Sequence, residues 1–477
     1  MTRPPVCQTV TATTMADLIA ARDAATEADL VELRLDGVAD PDVAGALALR
    51  QRPVIVTCRP QWEGGRFDGS EQERRAILQR ALDLGAEYVD VEFRAGFASL
   101  VRQDPARVVV SAHDFDGTPV DLAGQVRSMY ATGAHTIKVA VMARRLSDTL
   151  PLIEIGRSGN AVVIAMGDAG VATRLLPERF GSRWTYAGHA VAPGQMPIAR
   201  LLGEFRYRQF GTVARLFGVV SPNAMHSLSP RMHNAAFAAA GIDAVYLPLA
   251  AADFTDFLEF ADALGVEGAS ITIPYKLDAL AAATEADTRT RAVGAANTLK
   301  RTTSGWVATN TDVDGFLMPL ASAYGGSLRG ARASVLGAGG AARAAIVALQ
   351  GEGAAVRVHA RRHEQATTVA QQLRAVAGPW PPEHESWDLL VNTTPLGGTT
   401  MRDESPIPGE PFGGRLVYDL TYGAGQSRLL REAAAAGCRT LDGLPMLVAQ
   451  AERQFEWWTG QAPRAGVMRA AACRPGL

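Results

Sequence analysis

The first half of the chain alternates eight short β-branched runs with longer stretches of helical pattern, and this alternation limits its fold more than any other feature. The runs read VCQTVTA, LVELRLD, PVIVTCR, YVDVEF, RVVVSAHDF, HTIKVAVMA, AVVIAMG and SRWTYAG. Between them lie segments such as GSEQERRAILQRALDLGA, which carry helical periodicity and end on Gly. A helix between every pair of strands forces the strands parallel. Eight such units within about 190 residues predict a (β/α)8 barrel, over residues 1–210.

Side chains along a strand alternate between its two faces, so each run can be split into two parities. In LVELRLD, Leu33 and Leu35 share one face while Glu32, Arg34 and Asp36 share the other. In HTIKVAV, Ile137, Val139 and Val141 alternate with Thr136, Lys138 and Ala140, and His113 falls on the parity of Ser111 and Val109. Helices cover the outside of a barrel, so the continuous apolar parity is the outer one and the charged parity faces the lumen. Ions buried there without partners cost several kcal/mol each, which predicts a network with a purpose. Each charge also falls late in its strand, toward the C-terminal mouth where barrel active sites lie.

A lone lysine at a strand end usually extends to solvent. Lys138 is different, because it shares its lumen with His113, Glu32, Arg34 and Arg59. A desolvated lysine among other cations loses its proton more easily and can attack a ketone to form an imine. The imine acidifies the neighbouring C–H, and a histidine can then move the proton. Arginines beside it suit a carboxylate or hydroxyl groups.

After PGQMPIARLL the pattern restarts. LFGVVS opens a second α/β unit near residue 214, and a third shift comes at SLRGARASVLGAGGAARAAIVALQGEGAAVRVHARR. That last stretch reads strand, glycine-rich turn, helix, strand. Gly337, Ala338, Gly339, Gly340 and Ala341 form the turn, and the glycines permit close approach of a pyrophosphate to the helix N-terminus. Such turns also occur in Ala-rich chains without a nucleotide, so the second strand discriminates. It ends on Arg361 and Arg362 where an NAD site places an acid, and two arginines there suit a 2′-phosphate, hence NADPH. Surface arginines at a strand end are the alternative. The expected divisions are 211–322 for a substrate domain, 323–442 for a Rossmann NADP-binding domain and 443–477 for a helical return to the substrate domain. On that return, Met446, Leu447 and Phe455 follow helical spacing as core residues, and Trp457 and Trp458 read as packing.

A net charge of −2 gives no reason to expect nucleic acid or an anionic membrane as partner. The four cysteines are scattered, with no C-x-x-C pair, which fits a reducing compartment and no structural metal. No run approaches the roughly 18 apolar residues of a membrane span. MTRPPVCQTV holds no apolar stretch before a cleavage site, so a cytoplasmic protein is expected.

Six motifs in the first half, VELRLD, TCRPQWEGG, SAHDF, TIKVAV, AMGDAG followed by Arg174, and APGQ, resemble type I 3-dehydroquinate dehydratase in order and content. The resemblance covers residues 5–205. It implies that Lys138 forms a Schiff base with the C3 ketone of 3-dehydroquinate. His113 would then be the general acid/base, oriented by Glu63. Glu32, Arg34 and Arg59 would bind ring hydroxyls, Arg174 the carboxylate, and Gln195 would help close a loop over the substrate. The family usually has serine where Val191 stands, which implies one substrate hydrogen bond fewer; Thr173 replaces another common serine. Asp90 and Glu92 share the inward parity and receive no role beyond lumen polarity.

From residue 214 to the end, MHSLSPRMHN, SITIPYK, VGAANT, NTDVDG, YDLTY and DGLPMLVAQ resemble shikimate dehydrogenase. The resemblance implies that Ser227 and Ser229 bind the carboxylate of 3-dehydroshikimate, with Tyr422 nearby. Thr272, Asn297 and Gln450 would bind ring hydroxyls, and Lys276 and Asp312 would be the catalytic pair. Leu420 and Gly443 would line the cofactor. Two departures stand out: VVSPNAM replaces a commoner Gly-x-Pro turn, and Pro445 occupies a position where glycine is common, beside the nicotinamide.

Together the halves imply dehydration of 3-dehydroquinate followed by NADPH-dependent reduction to shikimate, a step of aromatic amino acid biosynthesis. Two readings compete with this. One half retuned, for instance to quinate oxidation with NAD, is opposed by Ser229 and Arg361. A non-catalytic metabolite sensor is opposed by the intact Lys138–His113 and Lys276–Asp312 pairs.

Overall fold

A computed structural model describes residues 3–189, 191–399, 401–423 and 425–474. The eight expected runs form eight strands: β1 (Val6–Thr11), β2 (Leu30–Arg34), β3 (Val54–Thr57), β4 (Tyr88–Glu92), β5 (Val108–Asp114), β6 (Thr136–Met142), β7 (Ala161–Met166) and β8 (Thr185–Ala187). All neighbours pair in parallel, from β7 back to β1 and on to β8. The ring is nearly closed. Between β7 and β8 the join is a bridge of Ala161 with Ser182, supported by the Arg183 N–H donating to the Ala161 carbonyl at 2.9 Å.

The two parities separate as the sequence requires. Leu33, Ile137, Val139 and Val141 are buried beneath the surrounding helices. The inward parity is layered. Cys7, Leu30, Ile55, Val109, Val162 and Trp184 fill the lower lumen as an apolar plug. Above it Glu32, Asp90, Glu92, Ser111 and Lys138 are buried as polar groups. The plug keeps water from the bottom of the barrel, so the ions above it interact across a medium of low polarity.

The second sheet contains β9 (Arg215–Val220), β10 (Ala244–Leu249), β11 (Val266–Ile271), β12 (Glu285–Ala286), β13 (Thr298–Thr302) and β14 (Gly305–Thr309). Its order is β10-β9-β11-β13-β14-β12, with β13 antiparallel to its neighbours. The third contains β15 (Arg332–Leu336), β16 (Ala355–His359), β17 (Val376–Ala377), β18 (Leu389–Asn392), β19 (Leu416–Asp419) and β20 (Arg439–Leu441). These run parallel in the order β17-β16-β15-β18-β19-β20. The order reverses between β15 and β18, which is where such a sheet opens a crevice for a dinucleotide.

The C-terminal helix Leu444–Thr459 crosses back to the second sheet. Phe455 and Trp458 join Phe217 and Phe237 in one apolar cluster, and the Trp458 indole N–H donates to the Leu299 carbonyl at 2.9 Å. Met446 is buried against the third sheet, while Leu447 and Trp457 are half-buried at the edge of the cluster. Pro445 sits in the first turn of this helix, where its missing N–H has no helical partner to lose.

Candidate functional site

At the C-terminal mouth of the barrel lies a cavity open to solvent. Glu32, Arg34, Arg59, Glu63, His113, Lys138, Arg174 and Gln195 all line it, as does Val191. They come from six strand ends and the loops beyond, brought together only by barrel closure.

Lys138 lies midway along β6 with its Nζ 3.3 Å from Glu32 and 3.4 Å from Asp90, and 4.3 Å from the centre of the Tyr186 ring. Its nearest ions are therefore carboxylates. This corrects the expectation of a lysine crowded by cations: Arg34 is turned to Asp36 in a two-pronged pair at 2.8 Å, and Arg59 is held by Asp90 at 2.9 Å and Glu92 at 2.6 Å. Burial alone would raise both carboxylates, but Arg59 and Lys138 hold Asp90 below its ordinary range. Likewise Lys138 and Arg34 hold Glu32 below its own against the cost of burial.

His113 closes one side of the cavity. Its Nδ1 is 3.1 Å from Glu63 Oε1, and its backbone N–H donates to the same oxygen at 3.0 Å. Burial, with the charges of Arg59 and Lys138, holds the imidazole well below its usual range. Burial also pushes the Glu63 carboxyl up to about 7. A neutral imidazole that donates from Nδ1 keeps the Nε2 lone pair free as a base.

Arg174 is 2% exposed, and among the described residues its guanidinium makes one hydrogen bond, a 3.5 Å contact from Nη2 to the Pro193 carbonyl. Its Nε has no acceptor among the described residues. Burial lowers this guanidinium to about 10. A buried cation without a carboxylate, facing a cavity, is shaped for an anionic ligand. Gln195 Nε2 donates to Thr9 Oγ1 at 3.2 Å, and Thr9 donates to Glu32 at 2.8 Å, so the 191–195 loop is tied to the lysine's own partner.

Sequence reasoning missed two members of this network. Asp90 is a direct partner of Lys138 rather than generic polarity. Arg74, on the helix Glu71–Asp83, is fully buried and pairs with Glu92 beneath Arg59. The signal existed in its spacing: Arg74 lies one turn before the buried Leu78, on the apolar face.

The second constellation centres on Lys276, whose Nζ lies 2.5 Å from Asp312 Oδ2. Asn297 Nδ2 donates to Asp312 Oδ1 at 2.8 Å and to Gln450 Oε1 at 3.3 Å. Four expected residues, from the start of the helix Lys276–Ala282, the turn before β13, the helix Asp312–Tyr324 and the C-terminal helix, thus form one cluster. Gln454, one turn beyond Gln450, was not foreseen. It donates to the Asn297 carbonyl at 3.2 Å and accepts from Ser270 at 2.7 Å, which fixes the backbone of Asn297.

Ser227 and Ser229 stand together at the start of the helix Ser229–Ala240, the Ser229 N–H donating to Ser227 Oγ at 3.1 Å. The Ser-Pro-Asn departure is accommodated there, because Ser221 Oγ donates to the Ile273 carbonyl at 3.1 Å and accepts from the Asn223 N–H at 3.3 Å. Thr272 and Tyr422 lie outside the hydrogen-bonded cluster. Thr272 is exposed just after β11, and Tyr422 is half-buried on the loop after β19.

The glycine-rich turn follows β15 as expected, with the Gly337 N–H donating to the His359 carbonyl at 2.8 Å. Gly339 precedes the helix Gly340–Gly351, and a Cβ there would meet nothing within 4 Å, so a phosphate has room beside the first turn. Ala338 and Ala341 flank the same turn, half-buried. A Cβ on Gly340 would lie 2.7 Å from Lys276 Cδ, so this turn and the Lys276 side chain are in direct contact. Across the crevice a Cβ on Gly443 would lie 2.1 Å from the Leu420 carbonyl oxygen, so only glycine lets the C-terminal helix start there. Arg361 and Arg362 are exposed at the end of β16, with no carboxylate partner among the described residues. This donor set fits a dinucleotide with a 2′-phosphate. The described His, Cys, Asp and Glu residues form no group of three or more placed to hold a metal ion.

Comparison with known proteins gives three family matches. Residues 6–210 match the type I 3-dehydroquinase family, residues 219–299 the shikimate dehydrogenase substrate binding domain, and residues 443–473 the shikimate 5′-dehydrogenase C-terminal domain. The bifunctional 3-dehydroquinate dehydratase/shikimate dehydrogenase, chloroplastic, of Arabidopsis thaliana is 32% identical over 471 residues, covering 91% of this chain and 78% of that protein. The chain belongs to this bifunctional family. The dehydrogenase half has relatives of its own. A shikimate dehydrogenase (NADP(+)) of Anaeromyxobacter dehalogenans strain 2CP-1 is 42% identical over 275 residues, spanning 55% of this chain and 97% of the relative. The crystal structure of shikimate dehydrogenase from Aquifex aeolicus superposes with a TM-score of 0.50 at 30% identity, over 56% of this chain and 100% of that one.

Proposed function

We propose that the barrel of this bifunctional enzyme dehydrates 3-dehydroquinate through an imine on Lys138, and that Lys276 and Asp312 serve NADPH-dependent reduction of the product to shikimate. The observation that carries the reading is the pairing of each lysine with its acid–base partners. Lys138 and His113 open on one cavity beside Arg174, which has no carboxylate partner among the described residues. Lys276 holds Asp312 against the nucleotide turn.

In the barrel, Arg174 receives the substrate carboxylate and orients the ring. Lys138 attacks the C3 carbonyl, and the carbonyl oxygen leaves as water with two of the ammonium's protons, relayed through the open cavity while Glu32 and Asp90 stay ionised. The cationic imine draws electron density from C2. His113 Nε2 takes the C2 proton, and the same proton then accompanies the C1 hydroxyl as it departs as a second water. Hydrolysis of the imine consumes one water, so the net loss is one. Glu63 fixes the imidazole tautomer and balances the charge that His113 gains.

In the second half, Ser227 and Ser229 bind the carboxylate, while Asn297 and Gln450 hold ring hydroxyls. Bound NADPH supplies the hydride. Lys276 holds the C3 oxygen and delivers a proton to it as negative charge develops there, and Asp312 keeps the ammonium in place. Arg361 and Arg362 take the 2′-phosphate. The molecule's partners on this reading are small metabolites. A cytoplasmic setting belongs to the same proposal, supported by four free thiols. No helix of the described residues is long and apolar enough to cross a membrane.

Purified enzyme given 3-dehydroquinate and borohydride should become covalently labelled at Lys138, because reduction converts the imine to a stable secondary amine. Labelling elsewhere, or none, would sink the imine. A coupled assay completes the test: NADPH oxidation dependent on 3-dehydroquinate should vanish in Lys138→Ala and in Lys276→Ala. Only the former should recover when dehydroshikimate is added.

A further inference from the structure

We infer that Asp256, in the dehydrogenase half, is a positioning residue for the dehydratase site. Asp256 lies in the first turn of the helix Phe254–Leu264 and is fully buried. Its carboxylate accepts the backbone N–H groups of Leu146 and Ser147, both at 2.9 Å, and the Ser147 hydroxyl at 2.8 Å. All three donors belong to the barrel. The fourth, the Ala252 N–H at 3.0 Å, is local.

The helix itself does not need this carboxylate as its cap. Asp253 already caps it, accepting the Asp256 N–H at 2.8 Å. The barrel loop does need it. Within that loop Asp148 accepts the N–H groups of Arg144 and Arg145, at 2.8 and 2.9 Å. The next two N–H groups, of Leu146 and Ser147, have no acceptor in the barrel among the described residues. A loop with one buried and one half-buried donor unsatisfied would rearrange, since a buried one alone costs about 1–3 kcal/mol. The dehydrogenase half therefore completes a turn that the barrel leaves open.

That turn sits close to the chemistry. It is the direct continuation of β6, which carries Lys138, and its single helical turn Ser147–Thr149 packs on the turn Asp168–Gly170. The latter leads into the helix Val171–Leu175, where Thr173 Oγ1 donates to the Gly170 carbonyl at 2.8 Å and Arg174 follows immediately. Arg174 in turn reaches the Pro193 carbonyl of the loop that carries Gln195. Asp256 thus supports the carboxylate-binding side of the cavity, whereas His113 and Glu63 stand on separate supports and Lys138 is fixed by strand pairing on both sides of β6. At the far end of the same helix Arg179 donates to the Leu264 carbonyl at 3.1 Å and the Ala214 carbonyl at 2.6 Å. This second tether docks the halves without touching the 146–147 turn.

The inference rests on the proposed role of Arg174 and is tested in the full chain. Asp256→Ala should raise the dehydratase KM for 3-dehydroquinate roughly two- to thirty-fold, with kcat near wild type and both dehydrogenase constants unchanged. Asp256→Asn, which keeps one acceptor oxygen and the fold, should give a smaller rise in the same constant. Arg179→Ala should leave KM where it was. Unchanged KM in folded Asp256→Ala or Asp256→Asn would overturn the inference, as would an equal rise in Arg179→Ala, which would mark general loosening. Borohydride labelling of Lys138 in wild type separates the two failures. Labelling with unaltered KM sinks the positioning role alone, and absent labelling sinks the site reading.

Discussion

One oxygen of Glu63 accepts two hydrogen bonds from the same residue, the backbone N–H and the Nδ1–H of His113, at 3.0 and 3.1 Å. The arrangement fixes the tautomer and leaves Nε2 as the base. It also has a thermodynamic cost, because burial pushes the Glu63 carboxyl up to about 7. A carboxyl raised in the folded state stabilises the fold below its unfolded value near 4.5 and loses that contribution as pH rises through about 7. Glu63→Gln removes the titration while keeping an oxygen acceptor. The variant should therefore gain stability relative to wild type at pH 8, by roughly 1–3 kcal/mol, and little at pH 4. Dehydratase kcat should fall roughly ten- to hundred-fold, since the imidazolium loses its balancing charge. Thermal melts at the two pH values and steady-state kinetics check both arms; a variant less stable at pH 8 contradicts the first.

Arg174 leads to a second prediction of opposite signs. A buried guanidinium with no carboxylate partner among the described residues opposes folding and awaits an anion. Arg174→Ala should raise the 3-dehydroquinate KM by roughly thirty-fold or more. It should also leave the melting temperature of the free enzyme unchanged or higher. In a Ser227→Ala/Ser229→Ala background, which removes the carboxylate contacts of the second site, 3-dehydroshikimate should raise the melting temperature of the chain that keeps Arg174 and not of the chain with Arg174→Ala. A large loss of stability in the free variant would show that the guanidinium has a structural role instead.

These two sites differ in how far the sequence revealed them. Parity along single strands placed Glu32, Lys138 and His113 in one lumen, because strand periodicity is local and helices leave only one face for charge. Parity is silent on stagger between strands, however, and stagger decides which carboxylate meets Lys138. Asp90 on β4 therefore remained anonymous until the register of β4, β5 and β6 was known. Arg74 was hidden for another reason: an arginine in an acidic helix reads as solvated, though it shares the face of Leu78, Ala81 and Leu82. In the second half Gln454 repeats Gln450 at one turn's spacing, a legible sign that sequence reasoning passed over. Asp256 had no sign at all, since its partners lie in the other enzyme of the chain.

Cofactor choice rests on Arg361 and Arg362, both exposed and free of carboxylates among the described residues. Replacing both by alanine should raise the NADPH KM of the dehydrogenase roughly ten- to hundred-fold, the cost of losing charged hydrogen bonds to a phosphate. The constants for NADH should barely move, since it has no 2′-phosphate to lose contact with. Equal losses for the two cofactors would assign the arginines to folding of the nucleotide domain rather than to selection.

The contact between Gly340 and Lys276 joins nucleotide binding to proton delivery. A methyl at Gly340 would stand 2.7 Å from Lys276 Cδ and 3.2 Å from its Cβ. The first distance is too short for any real contact, so one side must move. The helix Gly340–Gly351 is anchored in the third sheet's core through Ala342, Ala345 and Ile346, whereas the lysine side chain is flexible. The lysine yields, and its Nζ leaves the 2.5 Å pairing with Asp312. Gly340→Ala should thus lower dehydrogenase kcat roughly ten- to hundred-fold through misplacement of the proton donor. Stability should hold or rise slightly, because alanine favours a helical position over glycine by roughly 0.5–1 kcal/mol. Dehydratase activity in the same chain serves as the internal control and should be unaffected. If instead kcat stays at the wild-type level and only the NADPH KM rises, Gly340 serves the phosphate alone and Lys276 tolerates the displacement.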